Sequence, residues 1–539
     1  MQEVAHQSPS NRTVSSRLSI PWIGKVALLF MTATLLPYLI GWSIAGKSYY
    51  TGFHYNADDF CVYTAWMTQA KQGHFFFDNR FTTDPQPRQT VHLFFWALGT
   101  IERFTNLPPQ IILHLARFIF GILMIWAFYR LSQRLLTNEE SRRWAVLLAL
   151  LSSGLGWTAW QTYGWIAPAD AWQPELMTFT SLYFNPLFAV AGWLILEVWL
   201  AVLDAEKSWK AVPRGALFAL LLANIHTYDI VTIAAVGVGF VILKAVMRQL
   251  DWRWLLRVGV IALGAIPPLL WLLHVHSVDA VFRSRAATQT FSEPLWKYLM
   301  GFGLLIPLAL AGMYYALRKR DAFTDNARAL LPAWAVIGFA IPYLPVLFQR
   351  KLWMGEQWPL VLLAAGFLWL LLSRLPSPRR LALFGLVLLV LIPTNIKWVQ
   401  RDFDLLLANK SNTTMHWPYL DPDLWDVIQW FGKNTQPDEG VVAMPNLACY
   451  ISAFAGNRTY VSHWSETPDF ITRLNEVRTG ILSTATTIDE KRYLLNQADA
   501  TYVLTFREPA KIPELHLADL SPLGPIVYEN GIFRVYRVR

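Results

Sequence analysis

The sequence contains little cysteine and little charge, and both shortages narrow the class of protein. Only two cysteines occur in 539 residues, Cys61 and Cys449. Two cysteines cannot form a zinc cluster or a disulfide framework, although they leave room for a single bridge. Charged residues make up 15% of the chain and hydrophobic residues 54%. We therefore expect the net charge of +9 to reflect membrane topology and contact with lipid headgroups rather than nucleic-acid binding.

Motifs of nucleotide-driven machines are missing as well. The chain shows no internal repeat, coiled coil, P-loop or GxGxxG fingerprint. What it does contain are long apolar runs, which recur between about residues 26 and 398. Because only a backbone that satisfies its own hydrogen bonds can cross lipid, these runs predict a polytopic α-helical membrane protein. The 26 tryptophans and 20 tyrosines suit the aromatic belts of such a protein.

Positive charges predict the orientation of the apolar runs, because lysine and arginine concentrate in cytoplasmic loops. Basic residues precede the first run (residues 26–45), which we interpret as an uncleaved first helix. The polar residues 1–20 are then a disordered cytoplasmic tail. The next basic cluster, at residues 130–143, must also be cytoplasmic, so residues 47–110 form a large extracytoplasmic loop. Later clusters fit the same alternation, as expected for a multi-pass protein of a plasma or inner membrane.

One stretch breaks this simple alternation. Residues 215–246 lie between two basic clusters and hold about 30 mostly apolar positions, too many for one span and too few for two full ones. Two short helices that meet at residues 226–229 would resolve the conflict. A turn at membrane depth is tolerated only where it lines a cavity or is buried in protein, so we expect His226 and Asp229 to face a polar cavity. The total is then about 11 crossings within a transmembrane domain at residues 21–399.

The composition changes after about residue 400, where Asp, Asn, Thr and Pro become more frequent. Short runs typical of strands follow, at residues 441–444, 459–461, 501–505 and 532–536. Two amphipathic helices are predicted between them, at residues 424–433 and 489–497. We therefore predict a C-terminal α/β extracytoplasmic domain at residues 400–539, large enough to hold its own core.

Asp58 and Asp59 are the strongest candidates for chemistry. They follow the first helix directly and precede an aromatic, amphipathic stretch. Carboxylates beside lipid are costly to hold and tend to be functional. One of them could deprotonate an incoming hydroxyl while the other holds the loop or a metal. The alternative is a solvated loop with an Asn/Asp turn.

Arg350 and Lys351 are expected at the outer end of a helix, where the distribution of basic residues disfavours them. Arginine as a two-pronged donor and lysine as a point charge suit a phosphate. A lipid phosphate that leaves during a reaction would need this compensation. The alternative is an interfacial pair whose charged ends reach the headgroups.

Three further pairs of polar residues are candidates of lower specificity. Asp170 and Glu175 could bind a divalent cation, the one cofactor we consider, or a sugar, although their spacing is not a metal signature. Two other pairs are candidate contacts to the sugar or the acceptor: His226 with Asp229, and His463 with Glu466. The alternative for Asp170 and Glu175 is a segment that belongs to an interfacial tryptophan belt. His226 could be a structural histidine, and His463 and Glu466 could lie in a surface loop.

Taken together, these features resemble the GT-C superfamily of membrane glycosyltransferases. The similarity lies in an acidic pair after the first helix, about 11 helices of uneven length and a C-terminal extracytoplasmic domain. The resemblance implies that Asp58 or Asp59 is the catalytic carboxylate and that Arg350 and Lys351 hold the donor phosphate. We find neither the WWDYG motif of oligosaccharyltransferases nor the Asp-Glu order of protein mannosyltransferases. Another, prokaryotic branch of the superfamily fits better.

The resemblance predicts a hexosyl- or pentosyltransferase. Its donor would be a sugar on a polyprenyl phosphate, drawn from the membrane lipid, and its acceptor an extracytoplasmic hydroxyl of a glycan, a lipid or a protein, with inversion at the anomeric carbon. The main alternative is a transporter or flippase of a polar or lipid-linked solute, which would share the broken helix. A non-catalytic sugar-binding or assembly protein is a third hypothesis. The large loop and the C-terminal domain favour the transferase.

Overall fold

Helices make up most of the protein. The computed structural model describes residues 21–160, 166–318, 321–408, 418–507 and 518–539, so the predicted tail at residues 1–20 lies outside the described residues. In chain order the helices are α1 (Trp22–Ser43), α2 (Ala57–Lys71), α3 (Leu93–Thr105), α4 (Pro109–Leu135), α5 (Glu139–Leu151), α6 (Thr178–Phe184), α7 (Pro186–Asp204), α8 (Ala211–Ile225), α9 (Tyr228–Val246), α10 (Trp252–Leu263), α11 (Ile266–Val278), α12 (Ala280–Ala286), α13 (Leu295–Phe302), α14 (Leu305–Arg318), α15 (Asp325–Ala340), α16 (Gln357–Leu372), α17 (Ser377–Leu391), α18 (Pro393–Leu407), α19 (Pro422–Asn434), α20 (Pro445–Tyr450), α21 (Phe470–Asn475) and α22 (Ile488–Gln497).

Many of these helices are long and apolar enough to cross a membrane. The described ranges contain 6 such spans, or up to 8 if each of two bent helix pairs is one span. The 6 spans are Trp22–Ser43, Pro109–Leu135, Pro186–Asp204, Tyr228–Val246, Trp252–Val278 and Gln349–Leu372. The chain is therefore a polytopic integral membrane protein, as predicted. The predicted total of about 11 crossings includes shorter helices and stays a prediction.

Helix α7 lies at the centre of the bundle. Nearly all of its side chains are buried, and it contacts α4, α6, α8 and α9. A helix that is apolar on every side must be enclosed by other elements, and the sequence of α7 has this character. Its buried carboxylate, Glu197, pairs with Arg130 of α4 at 2.6 Å. The buried carboxylate of α7 thus has a cationic partner.

The predicted break at residues 226–229 is confirmed, because α8 ends at Ile225 and α9 begins at Tyr228. Helix α8 has 15 residues and is about 22 Å long, which is less than the hydrocarbon core of a bilayer. Helix α9 has 19 residues and is long and apolar enough to cross a membrane. The prediction of two short helices was therefore wrong for the second one.

The last predicted crossing is also broken. Helices α17 and α18 meet at an angle of 52°, and α18 begins at Pro393, whose missing N–H suits the start of a helix. Helix α18 continues to Leu407, past the predicted domain boundary at residues 399–400. The boundary itself stays a prediction, but a continuous helix runs through it.

The described residues after 417 form a C-terminal α/β region. Together with one strand from the loop after α1, its strands are β1 (Tyr49–Tyr50), β2 (Tyr419–Leu420), β3 (Gly440–Val442), β4 (Ala500–Phe506), β5 (Ile526–Glu529) and β6 (Phe533–Arg537). Four of them form a mixed sheet in the order β3-β4-β6-β5, with β3 and β4 parallel and the other neighbours antiparallel. The predicted strands at β3, β4 and β6 and both amphipathic helices, α19 and α22, are confirmed. The run at residues 459–461 forms only a single bridge, and β5 was not predicted.

The C-terminal α/β region packs directly on the loop that follows α1. Strand β1 pairs antiparallel with β2, and the ring of Tyr49 stacks on Trp425 with centroids 3.5 Å apart. Helix α2 contacts α20 and the π-helical turn that follows it. Cys61 of α2 and Cys449 of α20 are both buried free thiols, so the single bridge left open by the sequence is not formed. The N-terminus of α2 therefore lies between the helical bundle and the C-terminal region.

A glycine allows α3 to pack closely against α2. A Cβ added at Gly99 would lie 2.3 Å from the carbonyl oxygen of Met67, whereas one added at Gly237 of α9 would have no atom within 4 Å. We expect Gly99→Ala to cost about 1–3 kcal/mol through overpacking and to lower the thermal unfolding midpoint in detergent, measured by tryptophan fluorescence. The matched control Gly237→Ala should unfold at or above the wild-type temperature. Equal midpoints for the two variants would contradict this packing.

Candidate active site

The acidic pair (Asp58 and Asp59) lies in the first turn of α2. Asn56, just before the helix, has a φ of 50°, in the left-handed region that asparagine adopts more readily than most residues. Its side-chain amide donates to Asp59 Oδ2 at 3.3 Å. Because the first turn of a helix carries partial positive charge, this is a position where two adjacent carboxylates are stabilised.

A loop of the C-terminal α/β region reaches the acidic pair. In this loop, the His463 loop (residues 462–467), Trp464 Nε1 donates to Asp58 Oδ2 at 3.2 Å. Nε2 of His463 lies 3.8 Å from Asp58 Oδ2 and 3.8 Å from Asp59 Oδ1. The sequence singled out His463 as a sugar or acceptor contact, and the structure places it against the two carboxylates.

The basic pair (Arg350 and Lys351) lies in a 3-10 turn before α16. Lys351 Nζ donates to the hydroxyl of Tyr228 at 3.2 Å and lies 4.4 Å from the centre of its ring. Arg350 Nε is 3.9 Å from Glu175 Oε1, and the guanidinium lies 5.5 Å from the ring centre of Trp172. Each cation therefore has an aromatic face beside it, which attracts positive charge and limits where the side chain can point.

The charges of the acidic and basic pairs act on each other. Burial, and then the charge of Asp58, raises the pKa of Asp59 to about 7, while Lys351 acts in the opposite direction. Glu175 and Arg350 also act on Asp59, with opposite signs. The side chain of Asp59 nevertheless keeps 42% of its surface accessible. The structure thus brings the basic pair close enough to influence Asp59, whose side chain keeps accessible surface.

Tyr63 is a neighbour of the acidic pair that the sequence analysis did not single out. It follows Asp59 by four residues and so lies on the same face of α2. Its hydroxyl accepts a hydrogen bond from Asn185 Nδ2 at 3.2 Å. Burial, followed by the charge of Asp59, raises the pKa of Tyr63 well above its usual range, so the phenol stays neutral. The helical spacing from Asp59 was the available sequence signal.

His226 and Asp229 form a pair, with 2.8 Å between Nδ1 and Oδ2. Tyr228 lies between them in the chain and contacts Lys351, which places the break between α8 and α9 beside the basic pair. Asp229 also lines a small cavity, but its other lining residues are mostly apolar: Ile195, Trp199, Thr232, Ile233, Val236, Trp334 and Met354. This small cavity is mostly apolar, and the expectation that His226 and Asp229 face a polar cavity stays a prediction.

Glu466 of the His463 loop is paired with Arg285 of α12, at 2.8 Å between Oε1 and Nε. The guanidinium of Arg285 lies 5.3 Å from the ring centre of Trp66 in α2. Glu466 therefore joins the His463 loop to the helical bundle. Its predicted contact with a sugar or an acceptor stays a prediction.

Asp170 and Glu175 have different partners. Asp170 Oδ2 accepts hydrogen bonds from the amides of Gly154 at 2.8 Å and Gly156 at 3.3 Å, whereas Glu175 lies beside Arg350. Across the described ranges, no group of three or more His, Cys, Asp or Glu side chains could hold a metal ion. Asp170 therefore accepts hydrogen bonds from the backbone of a nearby turn. A cation bound by Asp170 and Glu175 stays a prediction, and no third ligand for it is found among the described residues.

Comparison with known proteins rests on structure alone. No family model matches the sequence, and no curated protein matches it. Among solved structures, the chain is similar to the arabinofuranosyltransferase AftD from Mycobacteria, with a TM-score of 0.58, 14% identity, and coverage of 95% of this chain and 40% of that one. It is also similar to ArnT from Cupriavidus metallidurans in the apo state, with a TM-score of 0.54, 13% identity, and coverage of 95% and 97%.

A third similar structure is the oligosaccharyltransferase of Archaeoglobus fulgidus in the apo form. Its TM-score is 0.53 at 14% identity, with coverage of 92% of this chain and 70% of that one. All three are membrane glycosyltransferases of the GT-C superfamily. The chain therefore has the GT-C fold, as the resemblance in the sequence implied. Identities of 13–14% establish the fold and leave the reaction to be argued from the site.

Asp170 makes the stability of the protein depend on pH. Burial raises its pKa to about 7 against the hydrogen bonds from Thr394 and the two glycine amides. The folded state therefore holds a proton that the unfolded chain releases near pH 3.8, and the stability from this group is lost as the pH rises through about 7. Asp170→Asn keeps an acceptor for the amides and cannot ionise. Its unfolding midpoint, relative to wild type, should be higher at pH 8 than at pH 5.

The control for this change is Glu175→Gln, which removes a carboxylate from the same segment without touching the glycine amides. Thermal unfolding at both pH values measures all three proteins. A midpoint difference between Asp170→Asn and wild type that is the same at pH 5 and pH 8 would contradict a buried, proton-binding Asp170.

Proposed function

We propose that this chain is a membrane glycosyltransferase that moves a sugar from a polyprenyl-phosphate-linked donor to a hydroxyl of an extracytoplasmic glycan, lipid or protein. The observation that carries the proposal is that Lys351 and Arg350 act on Asp59. We place the reacting groups in a hollow beside the accessible surface of Asp59. A carboxylate and two cations at such a place can serve proton removal and phosphate departure together. The fold supports the proposal, because AftD is by name an arabinofuranosyltransferase.

The orientation is part of the proposal. With the N-terminus in the cytoplasm, the N-terminus of α2, the 3-10 turn of the basic pair and the C-terminal α/β region lie on the extracytoplasmic side. The basic clusters of the sequence support this orientation, since they concentrate at the opposite ends of the apolar runs. A lipid-linked donor would then reach the hollow from the outer leaflet.

Asp59 is the better candidate for the general base. Its side chain is 42% accessible, against 25% for Asp58. Asp58 already accepts a hydrogen bond from Trp464, whereas the donor to Asp59 is the longer one from Asn56. A pKa of about 7 also suits proton transfer near neutral pH, because the carboxylate is then partly deprotonated and still basic enough to accept a proton.

The proposed reaction is a single displacement. Asp59 takes the proton of the acceptor hydroxyl, and the oxygen forms a bond to the anomeric carbon of the sugar. The bond between that carbon and the phosphate oxygen breaks, and the polyprenyl phosphate leaves with the electron pair. Lys351 and Arg350 stabilise the negative charge that develops on the departing phosphate. Attack from the face opposite the phosphate inverts the anomeric centre.

A divalent cation is not needed for these steps. One solved structure of the Archaeoglobus fulgidus oligosaccharyltransferase holds Zn and sulfate, at a TM-score of 0.51. In this chain the donor set near the acidic pair is two carboxylates and His463, and the part of the chain that the structure describes contains no group of three residues able to hold a metal ion. The proposed steps therefore use no cation. The sulfate in that solved structure is the closer parallel to the donor phosphate proposed here.

Loss of the base should slow transfer strongly. We expect Asp59→Asn to lower kcat/KM by about 10²–10⁴, the usual contribution of a general base, and Asp58→Asn to lower it less. The assay is release of C55 polyprenyl phosphate from a panel of glucosyl, mannosyl and arabinofuranosyl donors, followed by mass spectrometry. In wild type, kcat/KM should rise with pH through about 7, because Asp59 must lose its proton to act, and this rise should be absent in Asp59→Asn.

The control is Asp426→Asn, which removes an exposed carboxylate from α19 in the C-terminal α/β region. Full activity in both Asp58→Asn and Asp59→Asn would remove the acidic pair from catalysis. Movement of an intact lipid-linked sugar across proteoliposomes, with no covalent product in any assay, would favour the flippase alternative.

The basic pair should act on the donor. We expect Lys351→Met to lower kcat/KM for the polyprenyl-phosphate donor by about ten- to a hundredfold, because one charge-assisted contact to the phosphate is lost. The control is Lys433→Met, which removes an exposed lysine at the end of α19. Steady-state kinetics at low and moderate salt measure both. Equal kinetics for the two variants would contradict a phosphate contact by Lys351.

A further inference from the structure

Trp464 of the His463 loop is exposed, with 46% of its surface accessible. Among the described residues after 417 it is the only exposed tryptophan, since Trp425 and Trp430 are partly buried. The other exposed tryptophans of the described ranges lie between residues 42 and 296, in the helical bundle, where the interfaces of a membrane favour this residue. Trp464 lies outside the spans, so its ring faces water or a ligand.

One edge of the Trp464 ring is already in use, and one face is open. Trp464 Nε1 donates to Asp58 Oδ2 at 3.2 Å, which directs the ring at the acidic pair. The ring of His463 lies at 21° to the indole with centroids 6.1 Å apart. Because stacked carbon atoms lie about 3.5–4 Å apart, rings at that separation are strongly offset, and His463 covers little of the indole face. A flat apolar face therefore remains beside two carboxylates.

The His463 loop holds this face in place before any ligand binds. Thr467 Oγ1 donates to the carbonyl of Phe81 at 2.6 Å. Asn79 Nδ2 donates to the carbonyl of Glu466 at 2.7 Å. A ring carried on a backbone that is fixed on two sides loses little conformational freedom on binding, which favours affinity.

A flat apolar face beside carboxylates suits a sugar ring. A sugar ring has faces of C–H groups, which pack on an aromatic ring, and hydroxyls at its rim, which donate to carboxylate oxygens. The side chain of Asp59 is 42% accessible and that of Asp58 is 25% accessible, so both have room for such hydroxyls. An acyl chain would bury these carboxylates without partners, and a serine or threonine side chain would leave the indole face uncovered.

The contacts at the acidic pair come from two different parts of the chain. Lys351 and Arg350, the proposed contacts of the donor phosphate, belong to the helical bundle and act on Asp59. Trp464 belongs to the C-terminal α/β region and contacts Asp58. The indole is therefore separate from the phosphate contacts, which leaves it for the second substrate.

We propose that Trp464 is the stacking surface for a sugar ring of the acceptor, and that the acceptor is therefore a glycan and not a lipid or a protein. The inference rests on the proposed function and names the class of its acceptor, although binding of a glycan needs neither donor nor turnover. It places the contact on the residue next to His463, which the sequence suggested for sugar or acceptor binding.

The first test is binding without a donor. The probes are soluble hexasaccharides of arabinofuranose, mannose and glucose, titrated into the purified protein in nanodiscs and followed by saturation-transfer NMR. Trp464→Leu keeps apolar bulk but removes the flat ring, and it should weaken binding about tenfold or more, as loss of a tryptophan contact commonly does. Trp464→Phe loses the N–H but keeps a smaller ring, and it should weaken binding only about two- to threefold.

The matched control is Tyr493→Leu, which removes an exposed aromatic ring from α22 of the same region and should bind the probes as wild type does. Because the Trp464 ring is half exposed, Trp464→Leu should unfold at the wild-type temperature. A wild-type protein that binds none of the probes would overturn the proposal, as would equal affinities of Trp464→Leu and wild type.

Kinetics with a bound hexasaccharide as the acceptor separate the two substrates. Trp464→Leu should raise the KM for the acceptor about tenfold and leave the KM for the polyprenyl-phosphate donor unchanged, whereas a rise confined to the donor KM would overturn the proposal. A wild-type protein that binds glycans and releases no polyprenyl phosphate from any donor would contradict the proposed function alone. Transfer to a lipid or a protein, with no glycan bound, would overturn this inference alone.

Discussion

Two adjacent carboxylates at the N-terminus of α2 must keep charge inside a mostly apolar protein, and the arrangement around them follows from that constraint. The helix terminus supplies partial positive charge, and Trp464 supplies an N–H group from the C-terminal α/β region. Lys351 supplies full positive charge from a third part of the chain. These contributions offset only part of the cost of the site, because burial and the charge of Asp58 still raise the pKa of Asp59.

The helical bundle provides a fixed frame for this meeting. Helix α7 is enclosed on nearly every side and the glycine contact between α2 and α3 leaves no room for another methyl group, so the elements that carry the site cannot shift independently. The break after α8 brings Tyr228 to Lys351, and the break before α18 carries the chain towards the C-terminal region. Irregular backbone occurs here beside protein and the hollow, where its polar groups find partners.

Pairs of polar residues that look alike in the sequence have different physical roles in the fold. Asp170 accepts amides of its own backbone turn, Asp229 forms a hydrogen bond with His226, and Glu466 forms an ion pair with Arg285. Each of these carboxylates has its partners within the protein, on its own turn, on the next helix turn or on α12. The acidic pair differs because its donors come from another region, its accessible surface remains large, and its nearest cations have their own aromatic supports.

Length and hydropathy were enough to predict a polytopic membrane protein, the break at residues 226–229, and most of the strands and helices after residue 417, because these depend on local apolar patterns. Asp58 and Asp59 were expected in the loop after α1, and their place in the first turn of a helix was not predicted. Strand β5 was not predicted, since an exposed edge strand has a weak pattern. The full length of α9 was not predicted either, since one apolar run covers both α8 and α9 and does not show how it divides. Only the tertiary structure decided that His463, Trp464, Arg350 and Lys351 lie near the acidic pair, because polar groups from three distant segments converge through packing that no local pattern encodes.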